Sequence, residues 1–283
     1  MTIKESLQWS TSLLEEKKTE QPNESANFLL RQLLSAEKSY IITHPDKKLT
    51  LFQENKFRRW VKRRAKHEPV WYITRSIEFY GQDFLVNENV LIPRPETELL
   101  IEKTLADSKE LKTNSRILDI GTGSGAIILS LTKELGVTHK YFASDISSKA
   151  LAVAKKNAKR LKLDPVIQFK KGDLLSPWLG QRFDIIIANL PYIPHEDMST
   201  LALDLLHYEP RTALDGEKNG LEIYERFFAQ LPSVLAPNTK VYCEIGKDQG
   251  GEVKLMIKKS LPKAKVTIVS DYAKIDRIAI IET

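Results

Sequence analysis

The stretch Arg116-Ile117-Leu118-Asp119-Ile120, Gly121-Thr122-Gly123-Ser124-Gly125, Ala126-Ile127-Ile128-Leu129 restricts the possible folds of this chain more than any other segment. An apolar run that stops at three glycines and resumes as a longer apolar stretch reads as a strand turning into a helix. The glycines stand where side chains would keep the backbone away from a ligand. Such a strand-helix unit is half of a βαβ crossover and builds a parallel sheet. The rhythm continues with a strand over 141–144 and a helix over 149–161, then strands over 166–170, 183–188 and 240–245. The runs 264–269 and 277–281 are separated by seven residues rich in turn formers, too few for a helical crossover, so the last two strands are expected to pair antiparallel.

The chain before this region differs in texture. Residues 1–75 read as helices with polar breaks, such as Gln21-Pro22-Asn23 ahead of Ala26, Phe28, Leu29, Leu30, Leu33 and Leu34 at helical spacing. Residues 76–98 read as a hairpin-like linker, with strands expected at 78–81 and 83–86 and a proline-punctuated turn through Pro93 and Pro95. Residues 99–283 form the main α/β domain. The 283 residues and 42% hydrophobic content suffice for a full core.

Net charge is +6, of which residues 1–80 carry +5, with 15 Lys and Arg against 10 Asp and Glu. Lys56, Arg58, Arg59, Lys62, Arg63, Arg64 and Lys66 lie on a predicted helix, 56–66, with Phe57, Trp60, Val61 and Ala65 opposite. That face is either a solvated surface or one that meets RNA or another acidic partner. The single cysteine, Cys243, excludes an internal disulfide or cysteine-based zinc site, and the five histidines show no metal-ligand spacing. The charged, amphipathic beginning and the lack of a long apolar run point away from secretion or a membrane and towards the cytoplasm.

The glycine spacing discriminates between ligands. A dinucleotide fingerprint needs two residues between its second and third glycines, and here only Ser124 intervenes, which favours an adenosyl ligand without phosphates. Asp145, at the end of the next strand, suits two ribose hydroxyls. Asp173, after the third strand, could accept from an adenine amino group, with Leu174 against the ring. A tight turn without ligand is the competing reading of the glycines, and capping or surface roles that of the two aspartates.

Asn189-Leu190-Pro191-Tyr192 follows the apolar run 183–188, at the strand end where open parallel sheets bind ligands. Asn189 brings an amide oxygen and Leu190 a backbone carbonyl, with Pro191 restricting Leu190; two such acceptors can grip an NH2 group. A turn-forming Asn189 and a core Tyr192 are the plainer alternative. A glycine cradle beside an NH2 holder suggests a methyltransferase acting on nitrogen.

These residues resemble the glutamine-N5 methyltransferases of peptide chain release factors, class I S-adenosylmethionine enzymes with a helical N-terminal domain. The similarity covers Phe79-Tyr80-Gly81, Val90 to Glu98, the glycine loop, Ser144-Asp145-Ile146-Ser147, Tyr208-Glu209-Pro210-Arg211, Glu244-Ile245-Gly246 and Asp276-Arg277, and extends to Thr43-His44-Pro45-Asp46. It implies a Rossmann-like, mostly parallel sheet with an antiparallel C-terminal strand, and S-adenosylmethionine held by Gly121, Thr122, Gly123, Ser124, Gly125, Asp145, Asp173, Leu174 and Asn189. It further implies a monomer whose substrate is the glutamine of the Gly-Gly-Gln motif in class 1 release factors, held by Asn189, Leu190, Pro191 and Tyr192. The family pattern has Asn-Pro-Pro-Tyr; here Leu190 keeps the carbonyl and loses proline's fixed φ, and its side chain is expected to matter little. Glutamine on a ribosomal protein is an alternative substrate. Asn-Leu-Pro-Tyr is also similar to the motif of rRNA adenine-N6 dimethyltransferases, but that family lacks the 92–97 segment and has its glycine loop near the N-terminus.

Overall fold

The computed structural model describes residues 1–283, residue 110 by its backbone alone. The chain divides into two compact units, residues 1–76 with 202–208, and residues 77–201 with 209–283.

The first unit is helical: α1 (Ile3–Glu16), α2 (Pro22–Leu34), α3 (Lys38–Thr43), α4 (Leu51–Arg64) and α5 (Val70–Thr74). Thr2 and Thr50 start α1 and α4 with capping boxes, each threonine accepting the amide proton three residues on. Leu14, Leu29, Leu30, Phe57 and Val61 form its core. Arg64 departs from the expected cationic face. It is 5% exposed, and its guanidinium donates to Ser25 Oγ at 3.2 Å and to the Glu20 carbonyl at 3.0 Å. Buried donors need such acceptors, and burial pushes the guanidinium's pKa down. Arg58 and Arg63 are paired with Glu54 and Glu68, so Arg59, Lys62 and Lys66 are the exposed cations of this stretch.

The second unit opens within β1 (Ser76–Phe79), from Ile77, and continues with β2 (Gln82–Leu85). Their turn is Tyr80-Gly81, with φ of 49° and 65°, where the sequence suggested strand. Two positive φ angles match the right-handed twist of a two-residue hairpin. The Tyr80 amide donates to Glu98 Oε1 at 2.9 Å, which holds the turn by its backbone. After α6 (Glu96–Asp107) come β3 (Arg116–Ile120), α7 (Ala126–Leu135), β4 (Lys140–Asp145), α8 (Ser148–Arg160), β5 (Ile167–Lys171) and β6 (Phe183–Ala188). Then follow α9 (Leu203–Tyr208), which belongs to the first unit, α10 (Glu222–Gln230), β7 (Leu235–Glu244), α11 (Gly250–Ser260), β8 (Lys265–Ser270) and β9 (Asp276–Glu282).

The strand order is β5-β4-β3-β6-β7-β9-β8. Every pairing is parallel except those of β9, which runs antiparallel to β7 and β8. The central strands β3, β4 and β6 are buried on both faces. Leu118, Ile120, Ile186 and Val241 pack with Phe227 and Phe228 of α10 on one side, and Ile117, Ile185, Ile187 and Tyr242 pack with α6 and α7 on the other. The order reverses at β3, so its C-terminal end and that of its neighbour β6 open the crevice where such sheets bind ligands.

Candidate active site

Strand register assembles the site. Ile120 lies opposite Ala188 and opposite Ser144, so Gly121, Asn189 and Asp145 leave three adjacent strands at one level. Ala188 lies opposite Cys243, which brings Glu244 beside Asn189. A cavity of about 470 Å³, within the roughly 300–1,000 Å³ of small-molecule sites, opens over these ends. Its walls include Gly121, Thr122, Gly123, Ser124, Asp145, Asp173, Leu174, Asn189, Leu190 and Pro191. Gly125 and Tyr192 do not line it.

The loop after β3 needs its glycines: Gly121, Gly123 and Gly125 have φ of 72°, 54° and 82°. A Cβ on Gly125 would also stand 2.9 Å from Leu129 Cδ1. The amides of Gly121 and Thr122 donate to the Ser144 carbonyl, and that of Gly123 to Asp145 Oδ2 at 2.9 Å. Asp145 Oδ1 accepts from the Ser147 amide at 2.8 Å. Burial pushes the Asp145 carboxyl up in pKa while these two amides hold it down. Beside it, Ile146 is 57% exposed and lines the cavity, an uncovered apolar side chain that could support a flat ring. Asp173 pairs through Oδ2 with Arg226 at 3.1 Å, and Leu174 is buried in left-handed backbone, φ 48°.

Beneath the glycine loop, Asp119 is fully buried and accepts from Thr122 Oγ1 at 2.6 Å. Burial pushes its pKa up to about 7, against the Thr122 bond.

Asn189 is held from behind. Its Nδ2 donates to Glu244 Oε2 at 2.9 Å and to Thr97 Oγ1 at 3.2 Å, and Thr97 Oγ1 donates to the same carboxylate oxygen at 2.7 Å. The amide oxygen has no protein donor, nor has the Leu190 carbonyl, among the described residues. Tyr192 donates its hydroxyl to Glu244 Oε1 at 3.3 Å, and burial with the Glu244 charge raises its pKa. Leu190 is 4% exposed; its amide donates to the hydroxyl of fully buried Tyr224, which in turn donates to the Glu244 carbonyl. Arg94, on the cavity wall, pairs with buried Glu209, which also accepts the Ile92 amide at 3.2 Å. Arg211 pairs with Asp215 at 3.2 Å. Sequence reasoning gave Thr97, Ile146, Glu209 and Glu244 no role in the site, although each lies in a motif segment; their signal was polar or apolar type at a strand or helix end.

A glycine cradle at a strand-helix turn, a buried carboxylate at the next strand and a backed asparagine one strand over define a class I methyltransferase domain. The residues fit S-adenosylmethionine, the methyl donor of that class: carboxylate, apolar shelf and side-chain-free backbone all face one cavity. The models named PrmC N-terminal domain and methyltransferase domain match residues 5–74 and 111–266. The release factor glutamine methyltransferase of Bacillus anthracis is 36% identical, over 100% of this chain and 99% of that protein. Its Streptococcus pneumoniae counterpart is 38% identical, over 92% and 91%. The chain therefore belongs to the release factor glutamine methyltransferase family. In fold it resembles the catalytic domain of human METTL16 solved with an RNA hairpin of the MAT2A 3′ UTR, at a TM-score of 0.56, 17% identity, 85% coverage of this chain and 83% of that one. A Pyrococcus furiosus methyltransferase gives 0.52 at 18% identity, covering 72% and 90%. No described helix is long and apolar enough to cross a membrane.

Proposed function

We propose that this chain methylates the side-chain nitrogen, N5, of the glutamine in the Gly-Gly-Gln motif of class 1 peptide chain release factors. The observation that carries this reading is the asparagine amide: with Nδ2 engaged by Glu244 and Thr97, Oδ1 and the Leu190 carbonyl remain as two acceptors, matched to the two N–H bonds of a carboxamide. The family supplies glutamine as the bearer of that NH2.

S-adenosylmethionine, when bound, supplies an electrophilic methyl group. In the cradle Gly121, Thr122, Gly123, Ser124 and Gly125, the first and second glycines would offer it side-chain-free backbone beside Thr122 and Ser124, while Gly125 shapes the turn into the helix. Asp145 receives the ribose hydroxyls through its remaining lone pairs. Asp173 Oδ1, Leu174 and Ile146 take the adenine. A carboxamide nitrogen is a poor nucleophile because its lone pair is delocalised. Asn189 and Leu190 would hold its two protons so that the lone pair faces the methyl at near-attack distance, roughly 3–3.5 Å. Pro191 and Tyr192 fix the loop that carries both acceptors. Arg59, Lys62 and Lys66 support electrostatic contact with RNA or another acidic surface. The reading takes the enzyme as a cytoplasmic monomer, in keeping with a translation substrate and a single buried cysteine.

The test is incubation with methyl-labelled S-adenosylmethionine and, separately, full-length release factor and rRNA. Label on the release factor glutamine is expected, lost in Asn189→Ala with cofactor affinity nearly intact, and reduced in Asp145→Ala through weaker cofactor binding. Label on RNA alone overturns it.

A further inference from the structure

Glu244 is 2% exposed, stands outside the cavity wall and receives hydrogen bonds from Tyr192, Thr97 and Asn189. A buried carboxylate costs free energy, and three donors converging on one offset that cost. The three donors are also the residue that backs the helix start of α6, the residue proposed to grip the substrate, and the last residue of the Asn-Leu-Pro-Tyr element.

We infer that Glu244 is a positioning residue that fixes which end of the Asn189 amide faces the substrate. An asparagine amide has an oxygen and a nitrogen of almost equal size, so packing alone cannot choose between them. Chemistry can. Glu244 Oε2 accepts the Thr97 hydroxyl proton at 2.7 Å, so this oxygen is an acceptor and Thr97 has no proton left for Asn189. Both partners behind Asn189 therefore demand a donor. Turning the amide over would set Oδ1 about 2.9 Å from a carboxylate oxygen, in the place Nδ2 occupies. It would also present an NH2 to the substrate NH2, donor against donor. The same carboxylate anchors the hydroxyl of Tyr192, fixing the loop on the far side of Leu190. The inference deepens the glutamine reading and rests on it.

Variants of the full chain test it, with methyl transfer to release factor, S-adenosylmethionine affinity and thermal unfolding measured on each. Glu244→Met fills the space without an acceptor; kcat is expected to fall about 10- to 100-fold, as for lost orienting partners elsewhere, with KM and cofactor affinity within about 2-fold of wild type. Glu244→Gln can keep an oxygen towards Asn189 by turning its NH2 to the Tyr192 hydroxyl, so it should recover most of the rate. Thr97→Val should slow kcat several-fold and Thr97→Ser restore it; this pair decides the matter if Glu244→Met does not fold. Wild-type kcat in Glu244→Met or in Thr97→Val overturns the inference. So do equal losses in Glu244→Met and Glu244→Gln that follow lowered stability or cofactor affinity, because those describe a merely structural residue. Asn189→Ala serves as the control. If it methylates normally, the glutamine reading itself falls; if it is inactive while Glu244→Met is normal, only the role of Glu244 falls.

Discussion

Asn157 Nδ2 donates to the Ser124 carbonyl at 2.8 Å, so a fully buried side chain of α8 ties down the glycine loop. The same amide pairs with both backbone groups of Leu85, accepting its N–H at 2.7 Å and donating to its carbonyl at 3.0 Å. One residue thus fastens the β1–β2 hairpin and the loop to one helix. Asn157→Ala leaves one amide and two carbonyls without this partner, the Ser124 carbonyl in a buried site and the Leu85 pair in a part-buried one, and should destabilise by about 2–3 kcal/mol in urea unfolding. Cofactor affinity, read by calorimetry, should fall with it, because Ser124 loses its restraint. Unchanged affinity in a destabilised variant would separate the two effects and remove Asn157 from the loop's control.

Leu190 has a second function besides its carbonyl. The sequence suggested that its side chain matters little, but the structure buries it in the core beneath Gly121, where a Cβ on that glycine would meet Leu190 Cδ2 at 3.2 Å. Leu190→Ala should cost about 2–4 kcal/mol through lost burial and the cavity left behind. The turnover of this variant should drop as well, since the loop carrying both acceptors loses its anchor. Wild-type stability in Leu190→Ala would restore the simpler view.

These two residues mark the boundary of what the sequence reveals. Most strands of the large sheet were legible as apolar or alternating runs of strand length bounded by turn residues, although the first half of β7, from Leu235, was not; the cradle was legible because three glycines at a strand-helix turn have few other uses. The turn at Tyr80-Gly81 was not, because tyrosine has no preference for positive φ and the Glu98 carboxylate that holds its backbone amide lies 18 residues away. Arg64 shares its helical stretch with six other cations, and nothing local marks it as the one that meets Ser25 and Glu20. The Asn189–Glu244 contact spans 55 residues and follows from the register of β6 on β7, which pattern alone does not set. Side-chain orientation within the site is a tertiary property, whereas residue type at strand ends is a local one.

Gly220 bears on the same loop from outside. Its φ is 81°, and a Cβ there would stand 2.5 Å from the Tyr192 carbonyl oxygen and 3.0 Å from the Pro194 nitrogen. Both neighbours are backbone and cannot step aside cheaply. Gly220→Ala should therefore displace Tyr192 and lower turnover at least 10-fold, while a left-handed alanine adds about 1 kcal/mol of destabilisation. The measurement is kcat beside thermal unfolding; a normal kcat would show that Tyr192 tolerates displacement.

Asp119 should make the cofactor-free enzyme less stable as pH rises. Its carboxyl has an ordinary value of 3.8 when unfolded and about 7 when folded, raised by burial and by the nearby Asp145 charge against the Thr122 bond. Below about pH 4 it is protonated in both states and has no effect. Between about 4 and 7 the unfolded chain releases the proton and the folded chain keeps it, so unfolding gains steadily; above about 7 the loss is complete, on the order of 4 kcal/mol. Asp145 and Glu244 shift in the same direction, which makes the wild-type slope a sum. Asp119→Asn isolates one part of it: the variant cannot ionise, and its NH2 would take the place of Oδ1, which has no hydrogen-bond partner. Between pH 5 and pH 8 the stability difference should move in the variant's favour by about 2–3 kcal/mol in urea titrations without cofactor. A difference that stays constant across that range would mean that Asp119 ionises as readily in the folded protein as in the unfolded chain.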